Sequence, residues 1–231
     1  ITDAGLEHLK GLTKLQKLYL FSCLHITDAG LVHLKGLTQL QSLYLHSCLQ
    51  ITDAGLVHLK GMTNLQALRL DATKVADGGL VHLKGLQLTS LGIPNDAKTD
   101  LGLKHYLAAL ETHTALNLSG WKITDAGLVH LKGLTKLETL NLYRNQITDA
   151  GLVHLKGMTT LQALRLDATK VTDAGLVHLK GLTNLQTLSL GGFVGSQITD
   201  AGLVHLKGPT NLKTLSLEHT KITAVGLVHL R

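Results

Sequence analysis

Apolar residues along this chain recur at two different periods, and the two alternate. In residues 26–50, ITDAGLVHLKGLTQLQSLYLHSCLQ, Leu31, Leu34 and Leu37 stand three apart. That spacing predicts a short helix with one apolar stripe. Further on, Leu43, Tyr44 and Leu45 alternate with period two, as in a strand with one buried and one solvated face. Thr27 or Asp28 precedes the helix and offers an oxygen to its free amide protons. An Asp there also suits the positive end of the helix dipole. Gly36, just after Lys35, is placed as a helix stop. Gly30 lies inside the helix and weakens it intrinsically. Its use is close packing against a neighbouring coil, which a Cβ would obstruct.

The same unit recurs along the chain. Copies start at Ile1, Ile26, Ile51, Val75, Ile123, Ile147, Val171, Ile198 and Ile222, with a decayed copy at Lys98. The spacings run 25, 25, 24, 23, 25, 24, 24, 27 and 24 residues. A period of that size means small units stacked on their neighbours rather than one globular core. Strand, helix and return, repeated in one direction, pile the strands in parallel, with right-handed crossovers. Helices are wider than strands, so the stack is expected to curve with the strands on its concave wall. Nine strand segments are expected, ending at Leu20, Leu45, Leu70, Ile93, Leu118, Leu142, Leu166, Leu190 and Leu217, with ten helical segments beside them. At roughly 4.8 Å per strand the inner wall would be on the order of 40 Å long.

The run L-x-x-L-x-L-x-x-C at Leu40, Leu43, Leu45 and Cys48, continued by I-T-D-x-G-L-x-x-L, resembles the cysteine-containing leucine-rich repeats. These are familiar from F-box substrate receptors and bacterial repeat proteins. The resemblance extends over nearly the whole chain. It implies a right-handed α/β leucine-rich-repeat solenoid, a curved horseshoe occupying 1–231 as a single domain of nine to ten repeats. For function it implies a protein-recognition scaffold. Nothing in the chain looks like an F-box. The near identity of the copies favours recent duplication, as in bacterial arrays, or consensus design.

Outward strand positions carry the variation. The candidate partner-binding residues are Tyr19, Phe21, Tyr44, His46, Arg69, Asp71, Asn141, Tyr143, Arg144, Arg165 and Asp167. Tyr and Arg supply much of the binding energy at protein interfaces. Tyr19, Phe21, Tyr44 and His46 should form one patch, and neighbouring exposed aromatics cost solubility without benefit unless something covers them. Arg69–Asp71 and Arg165–Asp167 also read as local ion pairs of small energetic consequence. Their tracts, GMTNLQALRLDATK at 61–74 and GMTTLQALRLDATK at 157–170, nearly duplicate one another. Two stretches break the pattern. In 87–122, Pro94 is expected in a strand that should be short or broken on its far side, Tyr106 takes a Leu slot and Trp121 the Cys slot. In 191–197, GGFVGSQ is about three residues longer than its equivalents and should bulge.

Composition narrows the chemistry. The chain is 44% hydrophobic but only 3% aromatic, so the core is aliphatic. No run approaches the roughly 18 apolar residues of a membrane span. The net charge is +6, from 22 basic and 16 acidic residues, with one Lys per unit from Lys10 to Lys207. Spread along a solenoid without interleaved aromatics, that charge reads as a solubilising stripe, and nucleic-acid binding is not expected. Ten of the 14 histidines, from His8 to His229, fill one helical slot. Repetition explains the number, and no carboxylate or thiol recurs beside them, so no metal or other cofactor is expected. No catalytic motif appears, and the chain does not read as an enzyme.

Cys23 and Cys48 share a slot that elsewhere holds Thr73, Asn145, Thr169 or Thr220. Two free thiols favour a reducing compartment; a disulfide is the alternative. The opening inside a repeat, without Met, reads as a mature fragment, a trimmed piece or a designed array. No polar cap is evident at either end, so end-to-end self-association is expected. The function read from these residues is protein or peptide recognition on the concave face. The alternatives are a structural or designed array without a natural ligand, or the recognition arm of a larger effector or ubiquitin-ligase-type protein.

Overall fold

Each repeat contributes one three-residue strand, and consecutive strands pair in parallel. A computed structural model describes residues 1–192 and 196–230. The chain divides into two units, Ile1–Thr112 and His113–Arg231. In the first, β1 (Lys17–Tyr19), β2 (Ser42–Tyr44), β3 (Ala67–Arg69) and β4 (Ser90–Gly92) form a four-stranded sheet in that order. In the second, β5 (Ala115–Asn117), β6 (Thr139–Asn141), β7 (Ala163–Arg165), β8 (Thr187–Ser189) and β9 (Thr214–Ser216) form a five-stranded sheet. The nine expected strands are present among the described residues, and register joins equivalent positions. Leu18, Leu43, Leu68 and Leu91 pair in series, as do Leu116, Leu140, Leu164, Leu188 and Leu215. The middle residue of each strand points inward, and the two flanking residues point to the other face. Each fully buried Leu, such as Leu43 or Leu140, contributes about 2 kcal/mol of apolar transfer.

Opposite the strands, each repeat forms a short helix, and most of these are partly or wholly 3-10. Gly30–Leu34 is entirely so, and Asp53–Leu56 continues as the 3-10 segment Val57–Leu59. The three-residue spacing of leucines accounts for this, because a 3-10 turn closes in three residues and keeps Leu31 and Leu34 on one side. A left-handed glycine follows four of these segments. Gly61, Gly85, Gly133 and Gly157 are left-handed, with φ between 84° and 94°. Gly36 is not among them: Lys35 continues the helix at ψ −32°, whereas Lys60 turns extended at ψ 126°.

What joins one coil to the next corrects the expectation that Asp28 and its equivalents cap their own helices. Threonine does the capping. The hydroxyl of Thr27 accepts the Ala29 amide at 3.2 Å, and Thr52, Thr124, Thr148, Thr172 and Thr199 do the same one coil after another. The aspartate reaches into the following coil instead. Asp3 accepts the Thr27 amide at 2.8 Å and the Thr27 hydroxyl at 2.6 Å. The pairs Asp28–Thr52, Asp125–Thr148, Asp149–Thr172, Asp173–Thr199 and Asp200–Thr223 repeat this geometry. A charged acceptor makes these the strong kind of hydrogen bond. Glycine makes room for them. A Cβ on Gly30 would overlap the Asp3 carboxylate, and Gly55, Gly151, Gly175, Gly202 and Gly226 stand equally close to theirs.

The slot shared by Cys, Thr and Asn ties down carbonyls left over where the strand ends. Thr73, Thr169 and Thr220 each donate to the carbonyl three residues back, at 2.7 Å. Cys48 donates instead to Leu20 of the preceding coil at 2.9 Å. Asn145 donates to both Leu118 and Leu142 and accepts the Ile123 amide at 2.8 Å. Cys23 and Cys48 are free thiols, and burial pushes the Cys48 thiol pKa up. Trp121 fills the slot in the irregular stretch and is buried. Pro94 does not lie in a strand as expected. β4 stops at Gly92, and Pro94 leads into the 3-10 turn Asn95–Ala97 with extended backbone. Its missing N–H therefore falls outside the ladder. β4 is nonetheless the last strand of the first sheet. The bulge expected at 191–197 includes Phe193, Val194 and Gly195, which lie outside the described residues.

One coil lacks half of its clamp. Ala76 occupies the Thr slot, so Asp53 receives only the Ala76 amide, at 2.7 Å, and no hydroxyl stands where that of Thr27 accepts the Ala29 amide. Ala76→Thr supplies both missing bonds and is expected to raise the unfolding free energy by about 1–2 kcal/mol. The check is a higher urea midpoint at an unchanged m-value; an unchanged midpoint would show that the clamp adds no stability. At the last clamp, the Thr223 hydroxyl, followed by its amide, holds the Asp200 carboxyl below its ordinary value of 3.8. A folded-state pKa below the unfolded one stabilises the native state at higher pH and is lost as pH falls through the folded value. A carboxyl-carbon NMR titration should therefore place Asp200 below 3.8 in the parent and return it toward that value in Thr223→Ala. The stability gap between the parent and Asp200→Asn should also close as the solution is acidified past that point.

Candidate functional site

The outward face of each sheet is built by the residues flanking each inward leucine. In the first unit the register sets Lys17, Ser42, Ala67 and Ser90 in one row, and Tyr19, Tyr44, Arg69 and Gly92 in the next. Two residues past Tyr19 and Tyr44, still on that face, come Phe21 and His46. The four rings meet. Tyr19 and Tyr44 have centroids 4.7 Å apart, Tyr19 and Phe21 5.9 Å, Phe21 and Tyr44 6.0 Å, and Phe21 and His46 6.3 Å. These separations lie in the range where aromatic pairs attract beyond their burial. Yet Tyr19 is 52% exposed and Phe21 54% exposed, so the cluster lies on the surface and is not a core that happens to be aromatic.

Arg69 and Asp71 form the expected ion pair, Nε to Oδ2 at 2.8 Å. The pair leans over Gly92 of the adjacent strand, where a Cβ would collide with both side chains. Arg69 is therefore held within its own pair and turned toward β4. Its charge also works against the burial that pushes the Tyr106 pKa up. Among the described residues, the strands of the first sheet carry no carboxylate, and Asp71, two residues past Arg69, is engaged by it. Lys17 and Lys14 are exposed and form no ion pair among the described residues.

The second unit holds the other five candidates in a more polar arrangement. The Arg144 guanidinium lies 5.3 Å and that of Arg165 5.7 Å from the Tyr143 ring centroid. Arg165 reaches Asp167 at 3.2 Å. Asp167 also accepts a hydrogen bond from the buried hydroxyl of Ser189. Asn141 turns back to accept the Tyr143 amide at 3.0 Å, so its amide group serves the local turn. Arg144 sits where the chain leaves the strand, in a slot that is left-handed at Ser22, Ser47, Ala72, Arg144, Ala168 and His219. Beside Tyr143, Arg165 and Asp167, the sequence reading missed a shallow depression of about 250 Å³ completed by Gly191, Gly192, Glu218 and His219. The paired glycines were its signal, since two residues without side chains leave a gap in an otherwise continuous wall.

No group of three or more metal-ligating side chains occurs among the described residues. His105 Nδ1 lies 3.0 Å from the Asp77 carbonyl, while Nδ1 of His33 and of His58 is buried without a hydrogen-bond partner. No helix among the described residues is long and apolar enough to cross a membrane.

The comparisons agree with this architecture. The leucine-rich-repeat family model matches residues 133–155 and 208–230. Internalin C2 of Listeria monocytogenes is 27% identical, with a TM-score of 0.54 over 87% of this chain and 80% of its own. Internalin F of the same organism is 23% identical, with a TM-score of 0.56 over all of this chain and 87% of its own. A plant peptide hormone receptor, RGFR1, solved in complex with RGF2, is 16% identical with a TM-score of 0.52; the match covers 97% of this chain but 40% of the receptor's. No curated protein matches in sequence. Parallel strands from tandem repeats, each returning through a short helix, define an α/β leucine-rich-repeat solenoid. The chain has the leucine-rich-repeat fold, and its repeats at 133–155 and 208–230 match that family.

Proposed function

We propose that the chain is a recognition module that binds a protein or peptide through the outward face of its sheets, with Tyr19, Phe21, Tyr44 and His46 as the anchor. The observation that carries this is the exposed ring cluster. Four adjoining rings expose apolar area that is unfavourable in water and becomes useful when covered. Each strand is held in register by its neighbours, so the rings are already placed and little ordering entropy is lost on binding. Arg144, Arg165, Tyr143 and Asp167 provide a second, polar contact region, and Asn141 supports its turn.

The test is affinity capture by the parent and by Tyr19→Ala/Tyr44→Ala, both shown by circular dichroism to be folded. A partner held by the parent is expected to bind the double variant at least about 30-fold more weakly, as removal of a central anchor does. Equal capture by both proteins would remove the ring cluster from the binding face.

We also propose that residues 1–231 act as one array. Trp121, the sole tryptophan, is buried in the second unit and reports on that unit. Its fluorescence and the far-ultraviolet circular dichroism are expected to follow one superimposable unfolding transition in urea. Two separated transitions would make the units independent domains.

A further inference from the structure

We infer that the partner segment recognised by the first sheet is acidic as well as apolar: a peptide stretch with an Asp or Glu close to an aromatic or long aliphatic side chain. This rests on the reading of the ring cluster as a binding anchor. The additional support is the distribution of charge around it. The outward strand positions of the first sheet are Lys17, Tyr19, Ser42, Tyr44, Ala67, Arg69, Ser90 and Gly92. They hold two cations and no anion. The nearest carboxylate, Asp71, is bonded to Arg69 over Gly92 and has no free charge to offer. Lys17 is different. It precedes Tyr19 by two residues on the same face, roughly 7 Å along the strand. It is exposed and enters no ion pair among the described residues, and Lys14 at the foot of the strand is likewise exposed and unpaired. His46 closes the other end of the cluster, against Phe21.

A second feature of the sequence adds apolar surface to the same two coils. The first two repeats have 25 residues where most others have 24. Against Thr73–Lys74–Val75, the corresponding stretches Cys23–Leu24–His25–Ile26 and Cys48–Leu49–Gln50–Ile51 each contain one more residue. Leu24 and Leu49 are both exposed, five residues past the strand ends at Tyr19 and Tyr44. The extra residues therefore add aliphatic surface to the coils that bear the aromatic cluster. A partner that covers the rings while meeting an unpaired ammonium group must bring an apolar side chain and a carboxylate together. A basic segment would face Lys17 with no anion to offset it, and like charges brought together across an interface oppose binding.

The experiment selects from a random twelve-residue peptide library displayed on phage, using the complete chain as bait. Synthetic fluorescein-labelled copies of the enriched peptides are then titrated by anisotropy. The expected result is enrichment of Asp or Glu beside Trp, Phe or Leu. Affinity should fall at least about fivefold in Lys17→Glu, and about threefold when salt rises from about 50 to about 300 mM. It should be lost in Tyr19→Ala/Tyr44→Ala. Peptides that need the two tyrosines but are neutral or basic, or that ignore Lys17→Glu, would overturn the charge inference and leave the anchor standing. Failure to enrich any peptide that depends on Tyr19 and Tyr44 would overturn both.

Discussion

The carboxylate that leaves one coil and binds the next is the contact on which the rest of each unit depends. A leucine core by itself is permissive, because one Leu slides past another at little cost and strands of three residues carry few ladder bonds. The clamp removes that freedom. Asp3 takes both the amide and the hydroxyl of Thr27, and the same hydroxyl caps the helix it precedes. One threonine thus fixes where the next helix begins and how that coil lies on the last. The carboxylate needs the space beside Gly30, and a Cβ there would occupy it. Thr, Asp and Gly are therefore a single device distributed over two coils, which explains the glycines at 30, 55, 151, 175, 202 and 226.

The surface follows from that constraint. With coils locked at one spacing, equivalent strand residues fall into rows, so Tyr19 and Tyr44 meet because their coils are in register. A loop of similar composition would present the same rings in many arrangements and would lose that freedom on binding. The two units put the same scaffold to different use. The first carries rings and unpaired lysines, whereas the second carries Tyr143 beside two guanidinium groups and an aspartate shared by Arg165 and Ser189. The near-duplicate tracts at Arg69 and Arg165 show the effect of neighbours. Arg69 lies against its aspartate over Gly92, while Arg165 also finds the face of Tyr143.

Period and slot made the fold legible in the sequence. Leu43 and Leu45 mark a strand, Leu31 and Leu34 a short helix, and about 24 residues between copies mean a stack. The ring cluster was legible too, since four residues in corresponding positions of adjacent strands must adjoin. What stayed hidden was the direction of Asp28. Within one repeat it stands at a helix start and looks like a cap; its partner is 24 residues away, and only the stacked coil brings them together. Pro94 was misplaced for a similar reason. Three-residue strands end one position sooner than the leucine pattern implies, and a proline just beyond them disturbs nothing. The Cys slot was legible as small and polar, but its task was not. Thr, Cys and Asn all donate to carbonyls at the end of a strand, but the acceptor lies in the same coil for Thr73, in the preceding coil for Cys48 and in both for Asn145, which also accepts the Ile123 amide.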